Sequence, residues 1–320
     1  MSGDAELRLR LQARAGYLQR ARNYFANHQV LEVSTPIITS HAVTDPHIDS
    51  VACFSGDTPS GWLRPSPEFH LKRLLADGSG DVFEIGKVFR AGETGSRHHP
   101  EFTMVEWYRQ GFSLQAIIDD TTDFIRAIGS ASAYPPDRIV QLRYVDAFQK
   151  YAAIDPLTAS HIELASAAES FLGDVVTQQL KDSIGDDRNV WLDFLMSHHL
   201  EKQFDPEQLT VITHYPADQA SLARLSPDDP RFAERFEIYY RGIELANGFK
   251  ELLDPVEQRQ RFEQDQLTRK AMKKPAVNID ETFIRALESG LPDCAGVAVG
   301  LERVIMCCEG YTHIDRAITQ

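Results

Sequence analysis

The segment RFEIYYRGIELANGFKE (235–251) holds two strand-like runs with room between them for nothing but a tight turn. A parallel pair needs a crossover of about a dozen residues or more, whereas antiparallel strands can be joined directly. The same reading applies to DVFEIGKVFR (81–90) and FTMVEWYR (102–109), which are joined by a polar loop. Helical patterns are inserted between such pairs. Residues 5–28 place Leu7, Leu11, Leu18 and Phe25 near one face, and Ser113 caps a helix that Gly129 ends. Further helices are expected over 146–153, 160–172 and 188–204, with RIVQLRYV and LTVITHY as strands and two helices in DPVEQRQRFEQDQLTRKAMKK and NIDETFIRALESG. VLEVSTPIIT (30–39) is a strand interrupted by Pro36, which suits an edge or a junction with another chain. The expected fold class is α+β, an antiparallel β-sheet flanked by helices, as a single domain over residues 1–320.

Several function classes are disfavoured. The Gly-rich turn of a dinucleotide site is missing, and so is a Walker loop. No run approaches the ~20 apolar residues of a membrane span, and the charged start MSGDAELRLRLQARAG is unlike a signal peptide. Cys53, Cys294, Cys307 and Cys308 have no C-x-x-C spacing, which fits a reduced, cytoplasmic protein. A net charge of −14 repels phosphate backbones, and the one short basic stretch, RKAMKK (269–274), reads as a solvated helix end.

Three segments carry candidate chemistry. In VFRAGETGSRHHPEFTMVEWY (88–108), Arg90 leaves a strand into a loop, and alternation puts Phe102, Met104, Glu106 and Tyr108 on one face of the returning strand. A solvated hairpin would account for each of these residues singly. In 235–251, a Tyr240–Arg241 turn would set Glu237 opposite Glu244, a repulsion that a cation such as Mg²⁺ could relieve. A turn at Arg241–Gly242 would instead leave both in water. Strict alternation sends Glu251 to the face away from Glu244 unless Gly248 makes a bulge or the strand has ended. In CAGVAVGLERV (294–304), Arg303 at a strand-to-helix junction with nearby glycines suits a polyphosphate, the alternative being a pairing with a neighbouring glutamate.

Taken in order, Arg90 with HPEFTMVEWY, GIELANGFKEL and GLPDCAGVAVGLERV resembles motifs 2 and 3 of the class II aminoacyl-tRNA synthetases. VLEVSTPIIT resembles motif 1, with Pro36 at the dimer junction. SPEFHLKRLL (66–75), PEFTMVEWY and ELANGFKEL are similar to the lysyl subclass, and the matches run through essentially the whole chain. The chain opens on the first helix of the catalytic core, so a class II core with no anticodon-binding OB domain is expected. On that architecture it is identified as a member of the truncated lysyl-tRNA synthetase paralogues that attach (R)-β-lysine to a lysine side chain of elongation factor P. The alternatives are a ligase acting on another acceptor and a catalytically inactive regulatory paralogue. The second would be expected to have lost Arg90, Arg303, Glu237 or Glu244, all of which are present.

The resemblance implies a cytoplasmic homodimer using ATP and Mg²⁺, with elongation factor P and (R)-β-lysine as partners, and neither tRNA nor a membrane. It implies that Arg90 binds the ATP α-phosphate and Arg303 the γ-phosphate, with Phe102 stacked on adenine. Gly92, Glu93, His99, Leu245 and Gly300 complete the ATP site, although the family has glutamate at position 92 and asparagine at position 99. Glu237 and Glu244 match Mg²⁺ ligands, Glu244 also contacting ATP. Ser66, Glu68, Glu106, Tyr108, Asn247, Phe249, Glu251 and Ala298 match the aminoacyl pocket. Position 298 is typically glycine in lysyl-tRNA synthetases, so the Ala298 methyl is expected to fill space beside the α-carbon and to favour a β-amino isomer. The plain alternative is a small residue packing in a strand.

Overall fold

A computed structural model describes residues 3–318. The described residues form two compact units, one drawn from 1–135 and 250–320, the other from 136–249. The first unit opens with α1 (Gly3–Asn27), the short strands β1 (Leu31–Glu32) and β2 (Ile38–Thr39), and the hairpin β3 (Val51–Ser55) and β4 (Thr58–Leu63). Then come α2 (Glu68–Ala76), the long hairpin β5 (Val82–Phe89) and β6 (Glu101–Gln110), and α3 (Leu114–Gly129). The second unit holds β7 (Arg138–Arg143), α4 (Tyr144–Ala152), α5 (His161–Leu172), α6 (Gln178–Ile184) and α7 (Arg188–His198). It continues with β8 (Gln208–Pro216), β9 (Phe232–Tyr240) and β10 (Ile243–Lys250). The chain returns to the first unit through α8 (Pro255–Ala271), α9 (Glu281–Gly290), β11 (Cys294–Gly300) and α10 (Leu301–Glu309).

In the first unit the strands lie in the order β1-β5-β6-β11, with β2-β4-β3 as a separate small sheet. β5–β6 and β6–β11 are antiparallel, while β1 adds to β5 in parallel. The Pro36 segment is therefore two short strands rather than one, and only Leu31 and Glu32 of it pair with β5. Phe25, Phe83, Trp107 and Phe124 stack into the core of this unit, with ring centroids 4.1–5.2 Å apart. In the second unit the order β10-β9-β8-β7 is antiparallel except for β7–β8. Its helices bury Tyr144, Phe148, Trp191 and Leu195 against Ile212, Tyr215 and Tyr239.

Local chemistry sets the helix ends. Ser113 accepts from the Ala116 N–H at the start of α3, as expected, and Asp254 followed by Pro255 starts α8. The α1 face differs from expectation. Arg14, Tyr17, Ala21, Tyr24 and Phe25 are buried, while Leu7 and Leu11 are more than 40% exposed. Polar anchors fix the face instead. Arg14 reaches Glu302 at 2.9 Å and donates to the Thr103 hydroxyl and the Ala317 carbonyl. Among the described residues no helix is long and apolar enough to cross a membrane.

Candidate active site

Strand β6 directs Glu106 and Tyr108 to one face, and Trp107 packs on the opposite side against Phe25 and Phe124. The β11 register sets Ala298 opposite Glu106 and Gly296 opposite Tyr108. Directly paired residues share a face, so the Ala298 methyl lies on the Glu106 side. The Tyr108 hydroxyl donates to Glu106 Oε1 and Ser66 Oγ donates to Glu106 Oε2, both at 2.8 Å. Ser66 also accepts from the Glu68 N–H at the start of α2. One helical turn on, the Lys72 ammonium lies 2.5 Å from Glu68 Oε1 and 2.5 Å from Glu251 Oε2. Glu251 is fully buried, and its Oε1 has no hydrogen-bond partner among the described residues. Gly296 makes this arrangement fit. A Cβ there would stand 2.2 Å from Tyr108 Cε1 and 2.7 Å from Glu251 Oε1.

The cluster thus brings together Ser66, Glu68, Glu106, Tyr108, Glu251 and Ala298. Burial, and after it the charge of Glu68, pushes the Glu106 carboxyl up to about 8, against the hydrogen bonds from Tyr108 and Ser66. Burial lifts Glu251 to about 7, with Lys72 pulling the other way. For Lys72 burial acts to lower the pKa, but Glu251 and then Glu68 more than offset it, so the group is raised and stays charged. Burial and the surrounding carboxylates raise Tyr108 well above its usual range, which keeps its phenol a neutral donor. Two of the three carboxylates share the one ammonium, and the third, Glu106, is held by hydroxyls. Such an excess is costly unless a cation joins it, and a ligand bearing ammonium groups would supply the missing charge.

The phosphate-binding candidates lie in the same unit. Arg90 follows β5, its N–H bonded to the Pro100 carbonyl, and the Ala91 N–H bonds Asp49 O. The Arg90 guanidinium is 3.7 Å from Glu93, and its Cζ is 5.3 Å from the centre of the Phe102 ring. Its Nε is buried with no hydrogen-bond partner among the described residues, an orphaned donor that an anionic oxygen would satisfy. Gly92 has φ +79°, a left-handed conformation in which a glutamate would be strained. His99 Nδ1 sits 2.6 Å from the Glu101 carbonyl and 3.2 Å from the Glu101 N–H, donating to the first or accepting from the second according to its tautomer, so that nitrogen serves its own loop. Gly300 caps α10, which puts Arg303 in the first turn, with its Nε donating to the Arg97 carbonyl at 3.4 Å. His98 links the two arginines. Burial first, then Arg303, and also Arg90 lower its pKa. The adjacent Glu302 is buried and binds Arg14 and the Thr103 N–H.

In the second unit the β9–β10 turn is Arg241–Gly242, both with positive φ, the two-residue geometry that matches strand twist. The Tyr240–Arg241 turn is therefore corrected, and Glu237 does not face Glu244. Glu237 pairs with Asn247 and Glu244 with Tyr239. Of the two alternatives for Glu251, the strand has ended, since β10 stops at Lys250, and the break in alternation lies not at Gly248 but between Glu244 and Ala246, around the buried Leu245. That bulge puts Glu244, Asn247 and Phe249 on the same face as Arg235, Glu237 and Tyr239. Arg235 donates to Glu237 Oε1 at 2.5 Å, while Tyr215 and Tyr239 donate to Oε2 at 2.6 and 2.5 Å. Among the described residues no cluster of three or more His, Cys, Asp or Glu could hold a metal. Two carboxylates on one face still suit Mg²⁺, which takes its other ligands from phosphate oxygens and water. Glu237 Oε1 has capacity for one more contact beside Arg235.

Lys72 and Arg235 were not anticipated from the sequence. Lys72 follows Glu68 by four residues, a spacing that pairs on a helix face and could have revealed it. Arg235 precedes Glu237 by two in a strand, which places both on one face.

Sheet, motif order and site chemistry define a class of enzyme, and comparison with known proteins agrees. The family model for class II tRNA synthetases (D, K and N) matches residues 3–319, and the chain belongs to that family. Individual relatives are narrower in name. An elongation factor P–(R)-β-lysine ligase of Haemophilus influenzae is 43% identical over 311 residues, covering 96% of this chain and 93% of the relative. Ligases of the same name from Pasteurella multocida and Klebsiella pneumoniae subsp. pneumoniae are 40% and 42% identical, covering 96% and 95% of this chain and 93% and 92% of theirs.

Proposed function

We propose that this chain activates (R)-β-lysine with ATP and transfers it to a lysine side chain of elongation factor P. The observation that carries this reading is the Glu68–Glu106–Glu251 cluster, whose carboxylates outnumber its single internal ammonium. A diamino acid suits that imbalance, and relatives at 40–43% identity are named for this substrate and acceptor.

In the first half-reaction a carboxylate oxygen of the amino acid attacks the α-phosphorus of ATP and pyrophosphate leaves. Arg90, with its orphaned Nε, stabilises charge on the α-phosphate as it develops, and Phe102 stacks on adenine. Arg303 holds the γ-phosphate and orients the leaving group. Gly92, Glu93, His99, Leu245 and Gly300 complete the nucleotide site, His99 acting through the fold of its loop. Mg²⁺, held by Glu237 and Glu244, would screen the polyphosphate. Glu68, Glu106 and Glu251 bind the ammonium groups and Ser66 and Tyr108 orient Glu106, with Asn247 and Phe249 as further contacts. In the second half-reaction the amine of the acceptor lysine attacks the carbonyl carbon of the adenylate and AMP leaves. No side-chain nucleophile is needed, since alignment and electrostatics suffice.

The same reading makes the enzyme a cytoplasmic homodimer that does not use tRNA. Four cysteines with no C-x-x-C spacing and a net charge of −14 support the compartment and the lack of affinity for tRNA. Exposed Leu31, Ile37 and Ile38 around Pro36 support the dimer face. ATP–pyrophosphate exchange run with α-lysine, (R)-β-lysine and (S)-β-lysine tests the substrate. The (R)-β isomer is expected to give the highest kcat/KM, and a preference for α-lysine would defeat the assignment.

A further inference from the structure

Lys72 is an unusual occupant of an ammonium-binding cluster. Its side chain is 1% exposed, and its ammonium lies 2.5 Å from one oxygen of Glu68 and 2.5 Å from one oxygen of Glu251. Each carboxylate gives Lys72 a single oxygen. The other Glu251 oxygen, Oε1, has no hydrogen-bond partner and borders Gly296 and Tyr108, while Glu68 is the most open of the three acids. The rings of Tyr108 and Phe283 flank the buried ammonium with centroids 5.9 Å away. Glu106 has no lysine or arginine contact and is held by two hydroxyls.

We propose that Lys72 is a specificity-determining positioning residue whose ammonium ties Glu68 to Glu251, limits the charge of the fully ionised cluster to minus two, and leaves one oxygen of each of those two carboxylates for a ligand with two ammonium groups. The inference rests on the diamino-acid reading above and adds a reason for the number of amines. Once ionised, the three carboxylates with one fixed ammonium are neutralised by two further ammonium groups, and a ligand with one leaves a buried charge unpaired. Lys72 also keeps burial from pushing Glu251 further toward its neutral form. Because Lys72 acts through Glu68 and Glu251, it positions the ligand without being asked to touch the reacting atoms.

The test is Lys72→Met, which keeps length and apolar volume, in ATP–pyrophosphate exchange with (R)-β-lysine from pH 6 to 9. Lys72→Gln runs beside it as a variant that retains hydrogen-bond donors but not the charge. Expected is a KM raised about tenfold or more near pH 7 in both variants, with kcat within about threefold, and a pH midpoint of KM displaced upward by about one unit or more. An unchanged or lowered KM with the wild-type midpoint, in either folded variant, overturns the role of Lys72. Wild-type enzyme without (R)-β-lysine-dependent exchange would instead remove the substrate reading, so the two failures are distinguishable.

Discussion

Replacing Gly296 with alanine should damage the substrate cluster while sparing the nucleotide site. The added Cβ would stand 2.2 and 2.4 Å from two carbons of the Tyr108 ring and 2.7 Å from Glu251 Oε1. Ordinary carbon contacts begin near 3.5 Å, so ring and methyl must separate by about 1 Å or more. Both are set on paired strands, and Tyr108 is 2% exposed, so the ring has little room in which to move. Overpacking of this kind costs about 1–3 kcal/mol of stability, which in a chain of this size lowers Tm by roughly 1.5–4.5 °C. The larger effect should be on activity. A ring displaced by about 1 Å loses its 2.8 Å bond to Glu106, and a hydrogen bond to a charged group is worth about 1.5–3 kcal/mol. For Gly296→Ala we expect kcat/KM for (R)-β-lysine to fall roughly 10- to 100-fold, with the KM for ATP nearly unchanged. Exchange kinetics and a thermal melt on the same preparation decide it. A folded variant with wild-type kcat/KM would refute the packing argument.

Arg303→Ala should fold normally and lose about 10²–10³ in exchange rate, the cost of one electrostatic stabiliser. Near-normal exchange would exclude Arg303 from the mechanism. Ala298→Gly should raise α-lysine activation by about one to two decades, since the methyl lies on the Glu106 face. An unchanged preference between isomers would make the methyl mere packing. Protonation should govern both stability and binding. Glu106 and Glu251 are raised to about 8 and about 7, so between the ordinary carboxylate range and about pH 8 the native state binds more protons than the unfolded chain. Stability without ligand should therefore fall as pH rises through that window, while KM for the diamino acid should fall too, because the ionised acids bind ammonium. Urea denaturation and exchange kinetics across pH 5.5–8.5 check the pair, and the opposite slopes would contradict it. Light scattering should give a dimer at micromolar concentration, and a monomer would count against the Pro36 junction.

The antiparallel strand pairs were legible because tight joins leave few alternatives, and the order of Arg90, Glu237–Glu244 and Arg303 carried the family. Single-residue geometry was less so. The bulge falls at Leu245 rather than at the nearby Gly248 that the sequence pointed to, and it alone decides that Glu244, Asn247 and Phe249 share a face with Glu237. The buried stripe of α1 was misread because Arg14, charged and therefore assigned to solvent, is buried against Glu302 from a segment nearly three hundred residues away. Lys72 escaped for a related reason. A lysine four residues after a glutamate usually marks a solvated helix face, and only the arrival of Glu251 beside it makes a buried cluster.

The central claim is the transfer itself. Enzyme, ATP and labelled (R)-β-lysine are supplied with elongation factor P and bulk tRNA in one mixture at physiological salt, and the two acceptors are then separated. The account predicts label on a lysine of elongation factor P, dependent on ATP and absent with Arg90→Ala. Label on tRNA with none on the protein would contradict it.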